Sequence, residues 1–197
     1  MNEDYFDLDA RLEDARKFHG ELCAGVTVGA RMTLLGLRAI GIDDPKGKDR
    51  KKFMAFVETY RCPADAVLAV AGCQPGKRTL RILDYGKTAV TFVNLETGKA
   101  IRVSMNEKDD DKTQEKTREM IEQNPHTKEW AMQPVEDLFD IQEVKVDLKP
   151  EHLPGKPLRI VTCSVCGERV MDCREIRKDG KIYCRACVDG ESYYSSL

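Results

Sequence analysis

The sequence predicts an α+β protein, in which N-terminal helices pack on a mainly antiparallel sheet and a small metal-folded domain follows at the C-terminus. Helical patterns come first along the chain and strand-like runs follow them, an order that favours an α+β core over a doubly wound sheet. Near the C-terminus, two Cys-x-x-Cys pairs are separated by seventeen residues. Such pairs are a strong signature of a structural zinc site, because each places two thiolates on one side of a tight turn. The four predicted zinc ligands are Cys163, Cys166, Cys184 and Cys187.

Two helices are predicted at the N-terminal end. Residues 8–19 repeat apolar side chains at offsets of three and four, and Gly20 ends the pattern. The apolar run from Val26 to Ile40 predicts a second helix, with Gly41 as its stop. The shared face of the first helix carries Leu8, Leu12, Ala15 and His19. His19 therefore points in the same direction as the apolar side chains.

Strands dominate the middle of the chain. Phe53 to Glu58 has the composition of a buried strand, and Pro63 suits the first turn of a short helix that ends at Ala71. Three further strand-like runs are separated by turn residues and are expected to form an antiparallel meander. These runs are Leu80–Leu83, Thr88–Val93 and Ala100–Ser104.

The rest of the chain predicts a helix, a strand and a linker before the zinc domain. Thr113 to Gln123 is expected to form an exposed helix, and Val144–Leu148 alternates as a strand does. Residues 149–157 are rich in proline and glycine, as linkers are. We therefore expect a core domain over residues 1–150 and a zinc-finger domain over residues 158–197.

Composition excludes some classes of function and favours others. The net charge is −2, so no basic field over the whole chain points to nucleic acid, and no apolar run reaches the ~20 residues that a membrane span requires. The acidic start is unlike a secretory signal. Eight cysteines without an export signal indicate metal binding or catalysis in a reducing, cytoplasmic compartment rather than disulfides.

A second set of chemically active residues comprises His19, Cys23, Cys62 and Cys73. Cys23 and Cys62 each come just before a predicted helix, where backbone N–H groups favour a thiolate. If residues 63–72 are helical, Cys62 and Cys73 lie about 15 Å apart and cannot both bind one ion within a single chain. We expect His19, Cys23 and Cys62 to be neighbours, with Cys73 as a weaker candidate.

The alternative is that this set is structural. Cysteine is often a small buried hydrophobe, and a buried histidine often serves only the core. Three polar residues beside these cysteines or at strand ends are interpreted as surface or capping groups. These are Glu58, Asp65 and Lys87.

Several ordered runs resemble the FmdE-like family, whose founding members belong to formylmethanofuran dehydrogenase. Phe18-His-Gly-Glu-Leu-Cys-Ala-Gly25 is similar to that family's F-H-G-H-x-C-P-G signature, and Val57-Glu-Thr-Tyr-Arg-Cys-Pro-Ala-Asp-Ala66 matches a later one. Gly72-Cys-Gln-Pro-Gly-Lys77 and Asp84-Tyr-Gly-Lys87 resemble its G-C-T-x-G-K and D-x-G-K segments. The resemblance covers roughly residues 10–148, and residues 163–187 resemble the C-terminal treble-clef zinc finger of some members.

The resemblance implies a metal or active site at His19, Cys23 and Cys62, whose ion it does not identify. The chain departs from the signature at Glu21, where the family usually has a histidine, and at Ala24, where it has proline. FmdE proteins are associated with the molybdenum or tungsten enzyme that reduces carbon dioxide onto methanofuran in methanogens. The implied partner is therefore a formylmethanofuran dehydrogenase-type complex, although many relatives occur outside methanogenesis.

Three functional hypotheses follow from these patterns. The first is a metal-dependent core site or an accessory role in a formyl-transfer complex. The second is a regulatory or binding module that uses the zinc finger, in which interleaved acidic residues weaken the case for nucleic acid and favour docking or dimerisation. The third is thiol redox chemistry between Cys23 and Cys62. Gly29 and Gly36 on the second helix, and Tyr193 and Tyr194 near the C-terminus, favour a homodimer.

Overall fold

The computed structural model describes residues 5–106, 131–190 and 192–194. The chain forms two compact units, Met1–Asp147 and Leu148–Leu197. The α+β class predicted from the sequence is confirmed, with N-terminal helices and a mainly antiparallel sheet in the first unit. None of the helices in these described ranges is long and apolar enough to cross a membrane.

The first helix, α1, runs from Leu8 to His19, as the pattern predicts. It begins where the Asp7 side chain accepts a hydrogen bond from the Ala10 amide at 3.1 Å. It ends at Gly20, whose φ of 99° is readily adopted only by glycine. This cap leaves His19 in the last turn, at the end of the helix that faces the next element.

The second helix, α2, spans Ala24–Ala39 and begins two residues earlier than the sequence predicts. The reason is Cys23, which serves as the N-cap, since its Sγ accepts from the Val26 amide at 3.4 Å. Gly29 lies against Pro63 of the same chain, and Gly36 lies against the Phe92 ring. The close approach that these glycines permit is therefore used within one chain, and they do not support a dimer.

The next segment forms a β-α-β unit rather than part of a meander. Strand β1 (Phe53–Val57) leads into α3 (Cys62–Ala71), which ends at Gly72 with a φ of 68°. Strand β2 (Leu80–Ile82) then pairs with β1 in parallel. The antiparallel meander expected over residues 80–104 is thus wrong at its first strand, because α3 returns the chain to the end of the sheet where β1 began.

The remaining strands of the first unit are antiparallel. They are β3 (Ala89–Asn94), β4 (Ala100–Met105) and, after the short helix α4 (Val135–Leu138), β5 (Phe139–Val144). The order across the sheet is β2-β1-β3-β4-β5. Every residue of β1 and β3 is buried, so these two strands form the centre of the sheet. One apolar cluster joins the sheet to α2 and α3, and a second joins the three long helices to one another.

The last strand of this sheet lies five residues earlier than the alternation predicts. Residues 145–149 have no regular structure, and β5 is instead Phe139–Val144. Pairing with β4 sets these limits, since Met105 faces Phe139 and Ala100 faces Val144, which leaves no β4 residue for a longer strand. The helix expected over Thr113–Gln123 lies outside the described residues.

The second unit consists of two small hairpins and a short helix. Strands β6 (Ile160–Thr162) and β7 (Arg169–Met171) form the first hairpin, and β8 (Ile176–Lys178) and β9 (Lys181–Tyr183) form the second. Helix α5 (Arg185–Asp189) follows. One Cys-x-x-Cys pair lies in the turn between β6 and β7, and the other lies at the start of α5, which is compatible with a small zinc-binding domain.

Candidate metal centres

Two groups of histidine and cysteine side chains converge within the described part of the chain. In the second unit, the ligand atoms of the four cysteines predicted from the Cys-x-x-Cys pairs all lie within 4.8 Å of one another. The Sγ atoms of Cys166 and Cys184 are 3.9 Å apart. Tetrahedral zinc with Zn–S bonds of about 2.3 Å places its sulfurs about 3.8 Å apart. The cluster therefore has the donor type, number and spacing that a structural metal ion requires.

The four thiols are not equivalent without a metal ion. Backbone N–H groups of Cys166, Cys184 and Val165 lower the pKa of Cys163 to about 6. A hydrogen bond with Cys184 instead raises the pKa of Cys187 to about 12. Cys163 is thus the preferred first thiolate, and metal binding must displace the remaining protons. Cys173 does not belong to the group.

The second group lies in the first unit and brings together residues from three helices. His19 is the last residue of α1, Cys23 caps α2, and Cys62 is the first residue of α3. Their ligand atoms lie within 4.8 Å of one another. His19 Nε2 is 3.9 Å from Cys23 Sγ, and the same two ligands on tetrahedral zinc would be about 3.6 Å apart.

Glycines in α2 allow Cys62 to approach this group. A Cβ atom added at Gly25 would lie 3.0 Å from the Cys62 Cβ and 3.6 Å from its Sγ. One turn further, an added Cβ at Gly29 would lie 2.6 Å from the Pro63 Cα. The start of α3 is therefore held directly against the first turns of α2, and no side chain separates Cys62 from Cys23.

The electrostatic setting of the two sulfurs favours a cation between them. Both cysteines lie at helix N-termini, where the partial positive charge favours thiolates. Partial burial and then the neighbouring Cys23 raise the pKa of Cys62. A metal ion would reverse that effect, because it stabilises both thiolates at once.

Asp65 completes the surroundings of His19, although the sequence interpretation assigned it to a surface or capping role. His19 Nδ1 and Asp65 Oδ2 are 2.8 Å apart. Asp65 follows Cys62 by three residues on α3, so the two side chains share a face of that helix. The i, i+3 spacing was visible in the sequence, but nothing local indicated that the histidine would be the partner.

A buried ion pair supports the segment that leads to Cys62. Arg102 Nε and Nη2 donate to the two carboxylate oxygens of Glu58, at 2.7 Å and 2.9 Å. The Glu58 carbonyl accepts from the amides of Tyr85, at 3.0 Å, and Lys87, at 3.1 Å. Glu58 is thus a buried anchor between β4 and the loop after β2. Sequence reasoning assigned it to the surface and missed Arg102.

Cys73 is not brought into either group. It lies beyond the far end of α3 and is 1% exposed within the apolar core. Burial raises its pKa to about 12. The structure therefore gives Cys73 the environment of a small core side chain.

Comparisons with known proteins agree with this architecture. The family model described as FmdE, molybdenum formylmethanofuran dehydrogenase operon, matches residues 18–147. A crystal structure of a tungsten formylmethanofuran dehydrogenase FmdE-like protein from Syntrophus aciditrophicus is similar over 95% of both chains, with a TM-score of 0.61 and 26% identity.

A curated relative is similar over a shorter stretch. It is a probable S-adenosyl-L-methionine-binding protein from Archaeoglobus fulgidus, 34% identical over 93 residues. That match takes in 47% of this chain, which spans about a quarter of the relative's length. Since the family model covers more than half of the sequence, and covers all three residues of the core group, this chain belongs to the FmdE family.

Proposed function

We propose that this protein is a metal-binding member of its family with two distinct sites: a structural zinc ion in the four-cysteine cluster and a second ion held by His19, Cys23 and Cys62. The convergence of one imidazole and two sulfurs from three separate helices carries the proposal. Three protein ligands leave one position of a tetrahedral ion open, which is the arrangement of catalytic rather than structural zinc sites.

The surroundings suit the chemistry of an open site. A zinc ion held there would supply Lewis acidity, either polarising a carbonyl or activating water. The His19 side chain is 18% exposed, and both cysteines are only partly buried, so a small molecule can reach the group. The ligands are fixed from behind by the packed starts of α2 and α3.

The biological setting that we propose is a formyl-transfer complex of the molybdenum or tungsten type. The family description and the name of the Syntrophus aciditrophicus protein support this setting. In it, this chain acts as an accessory component, and its core site handles a carbonyl compound or positions a partner.

Metal analysis of matched variants tests the two-site proposal. Wild-type protein, purified under reducing conditions, should contain two metal ions per chain by plasma mass spectrometry. Cys62→Ala should lose the core ion and keep the ion of the four-cysteine cluster. Cys73→Ala, an equally conservative cysteine replacement outside both groups, should keep both ions. Retention of two ions by Cys62→Ala would contradict the proposal.

A second candidate function uses the same residues without a metal ion. The order Cys23, His19 and Asp65 matches a thiol nucleophile, its base and an orienting carboxylate, and Cys23 lies at a helix N-terminus. The chemistry would be attack of the Cys23 sulfur on a carbonyl carbon, with transfer of the acyl group to sulfur.

Cys62 separates the two candidates, because the metal site requires it and the nucleophile does not. Metal-free Cys62→Ser protein can be treated with p-nitrophenyl acetate and its peptides mapped by mass spectrometry. Rapid acetylation of Cys23, abolished in Cys23→Ser, would favour the nucleophile. Labelling no faster than that of Cys173 would favour the metal site.

We propose a docking or dimerisation role for the second unit. Tyr193 and Tyr194 are 99% and 64% exposed, which supports a contact with another chain. Light scattering should report a homodimer for the wild type and a monomer for the Tyr193→Ser, Tyr194→Ser variant. The competing nucleic-acid role requires binding that weakens steeply with salt, and no binding at low salt would end it.

A further inference from the structure

The hydrogen bond between His19 and Asp65 determines which imidazole nitrogen can bind a metal ion. An ionised carboxylate only accepts hydrogen bonds. The 2.8 Å contact between Asp65 Oδ2 and His19 Nδ1 therefore places the ring proton on Nδ1. A neutral imidazole then carries its free lone pair on Nε2, which is the nitrogen 3.9 Å from Cys23 Sγ.

We propose that Asp65 is a positioning residue that fixes the tautomer and the orientation of His19, so that Nε2 is presented to the ion of the core site. This inference rests on the proposed function of that site. Carboxylates that hold the second nitrogen of a metal-binding histidine commonly raise metal affinity, and their loss typically costs about 10–100-fold.

Helix α3 carries both a ligand and the orienting group on one turn. Cys62 is its first residue, and Asp65 follows three positions later. Both side chains thus move together, and any shift of α3 that displaces the sulfur also displaces the carboxylate. The geometry of the site then depends on where α3 lies relative to the end of α1, which carries His19.

Contacts along the two helices fix that relative position. Leu12 and Ala15 of α1 are buried in one apolar cluster with Ala66 and Val70 of α3. The Tyr5 hydroxyl, just before α1, donates to the Val70 carbonyl near the other end of α3. The packing holds α1 against α3 without help from the His19–Asp65 contact.

Exposure argues against a purely stabilising role for this contact. The Asp65 side chain is 43% exposed, so water could solvate the carboxylate if the histidine were absent. Ion pairs and hydrogen bonds between exposed charged groups contribute little to stability. Removing the carboxylate should therefore leave the fold intact and act on the imidazole.

Four full-length variants separate orientation from tethering. Asp65→Ala removes the acceptor, Asp65→Asn keeps an acceptor without the charge, and Asp65→Glu tests rescue by a longer carboxylate. Asp43→Asn neutralises an exposed carboxylate on the α2–β1 connection and is the matched control. Circular dichroism should show the same helical content in all four.

The first readout is the histidine tautomer in metal-free protein, from long-range ¹H–¹⁵N correlation spectra. The chain has only three histidines, so His19→Gln assigns the relevant signals. The wild type and Asp43→Asn should carry the His19 proton on Nδ1, and Asp65→Ala should shift it towards Nε2. An unchanged tautomer in Asp65→Ala would overturn the proposal.

The second readout is zinc affinity of the core site, from competition with a chromophoric chelator and with Cys62→Ala as the reference for the other site. Asp65→Ala should bind about 10–100-fold more weakly, with partial recovery in Asp65→Glu. Weaker binding with an unchanged tautomer would reduce Asp65 to a tether and contradict the proposal. If the wild type binds no core ion, the proposed function fails, while the tautomer measurement still decides the role of Asp65.

Discussion

Replacing Gly29 with alanine should force α2 and α3 apart at the point that positions Cys62. The added Cβ would lie 2.6 Å from the Pro63 Cα, 2.7 Å from the Ala66 Cβ and 2.9 Å from the Pro63 carbonyl oxygen. Carbon atoms prefer separations of about 3.5–4.0 Å, so the two helices must part by about 1 Å. Two of these three obstacles are backbone atoms, which cannot rotate away as a flexible side chain could.

The expected cost follows from two opposing effects. Overpacking of this kind typically costs about 1–3 kcal/mol, and the steric conflict with backbone favours the upper end of that range. Alanine in place of glycine returns about 1 kcal/mol through its higher helix propensity. The net destabilisation should be about 2 kcal/mol, equivalent to a fall in Tm of about 4–8 °C for a chain of this length.

Thermal unfolding followed by circular dichroism measures that shift, and metal analysis shows its effect on the sites. Gly29→Ala should weaken the core site, because Cys62 moves with α3, and should leave the four-cysteine cluster loaded. Gly76→Ala is the control, since an added Cβ there meets no atom within 4 Å. A Gly29→Ala protein as stable as the wild type, with its core ion retained, would refute this account of helix packing.

Three further predictions concern the core, the ion pair and the zinc cluster. Burial raises the pKa of Cys73 from 9.0 to about 12, so the native thiol keeps its proton while the unfolded chain releases it. Its contribution to stability is therefore full below pH 9.0 and declines by up to about 1.4 kcal/mol per pH unit towards pH 12, a slope in urea unfolding that Cys73→Val should reduce. Glu58→Gln should cost about 1–3 kcal/mol in the same assay, because Arg102 loses its charged partner, and Arg102→Met should recover part of that loss in the double variant. Cys166→Ser should release one metal equivalent, whereas Cys173→Ser should release none.

The sequence predicted elements better than it predicted their neighbours. Helix α1 has its expected limits because an aspartate cap and a glycine stop are local signals. Strand β2 was also recognised, but its pairing was not, because apolar composition identifies a strand without identifying its partner. The limits of β5 come from the length of β4, a long-range property that alternation within residues 144–148 cannot reveal.

The candidate sites show the same division between local and long-range information. The spacing of the two Cys-x-x-Cys pairs was sufficient to predict the zinc cluster. His19 and Cys62 are far apart in sequence, and their grouping depended on helix starts and on the family signature. Asp65 went unrecognised because an acidic residue in the first turn of a helix has an ordinary explanation, its favourable interaction with the helix dipole.

The parallel pairing of β1 and β2 has an evolutionary consequence. Both strands end at the same edge of the sheet, so the segment leading to Cys62 and the loop at residues 84–87 emerge side by side. That loop is attached through its backbone amides, which donate to the Glu58 carbonyl whatever side chains the loop carries. Mutation can therefore change Tyr85 and Lys87 without disturbing the scaffold, and relatives can diverge in what they recognise while keeping the same ligands.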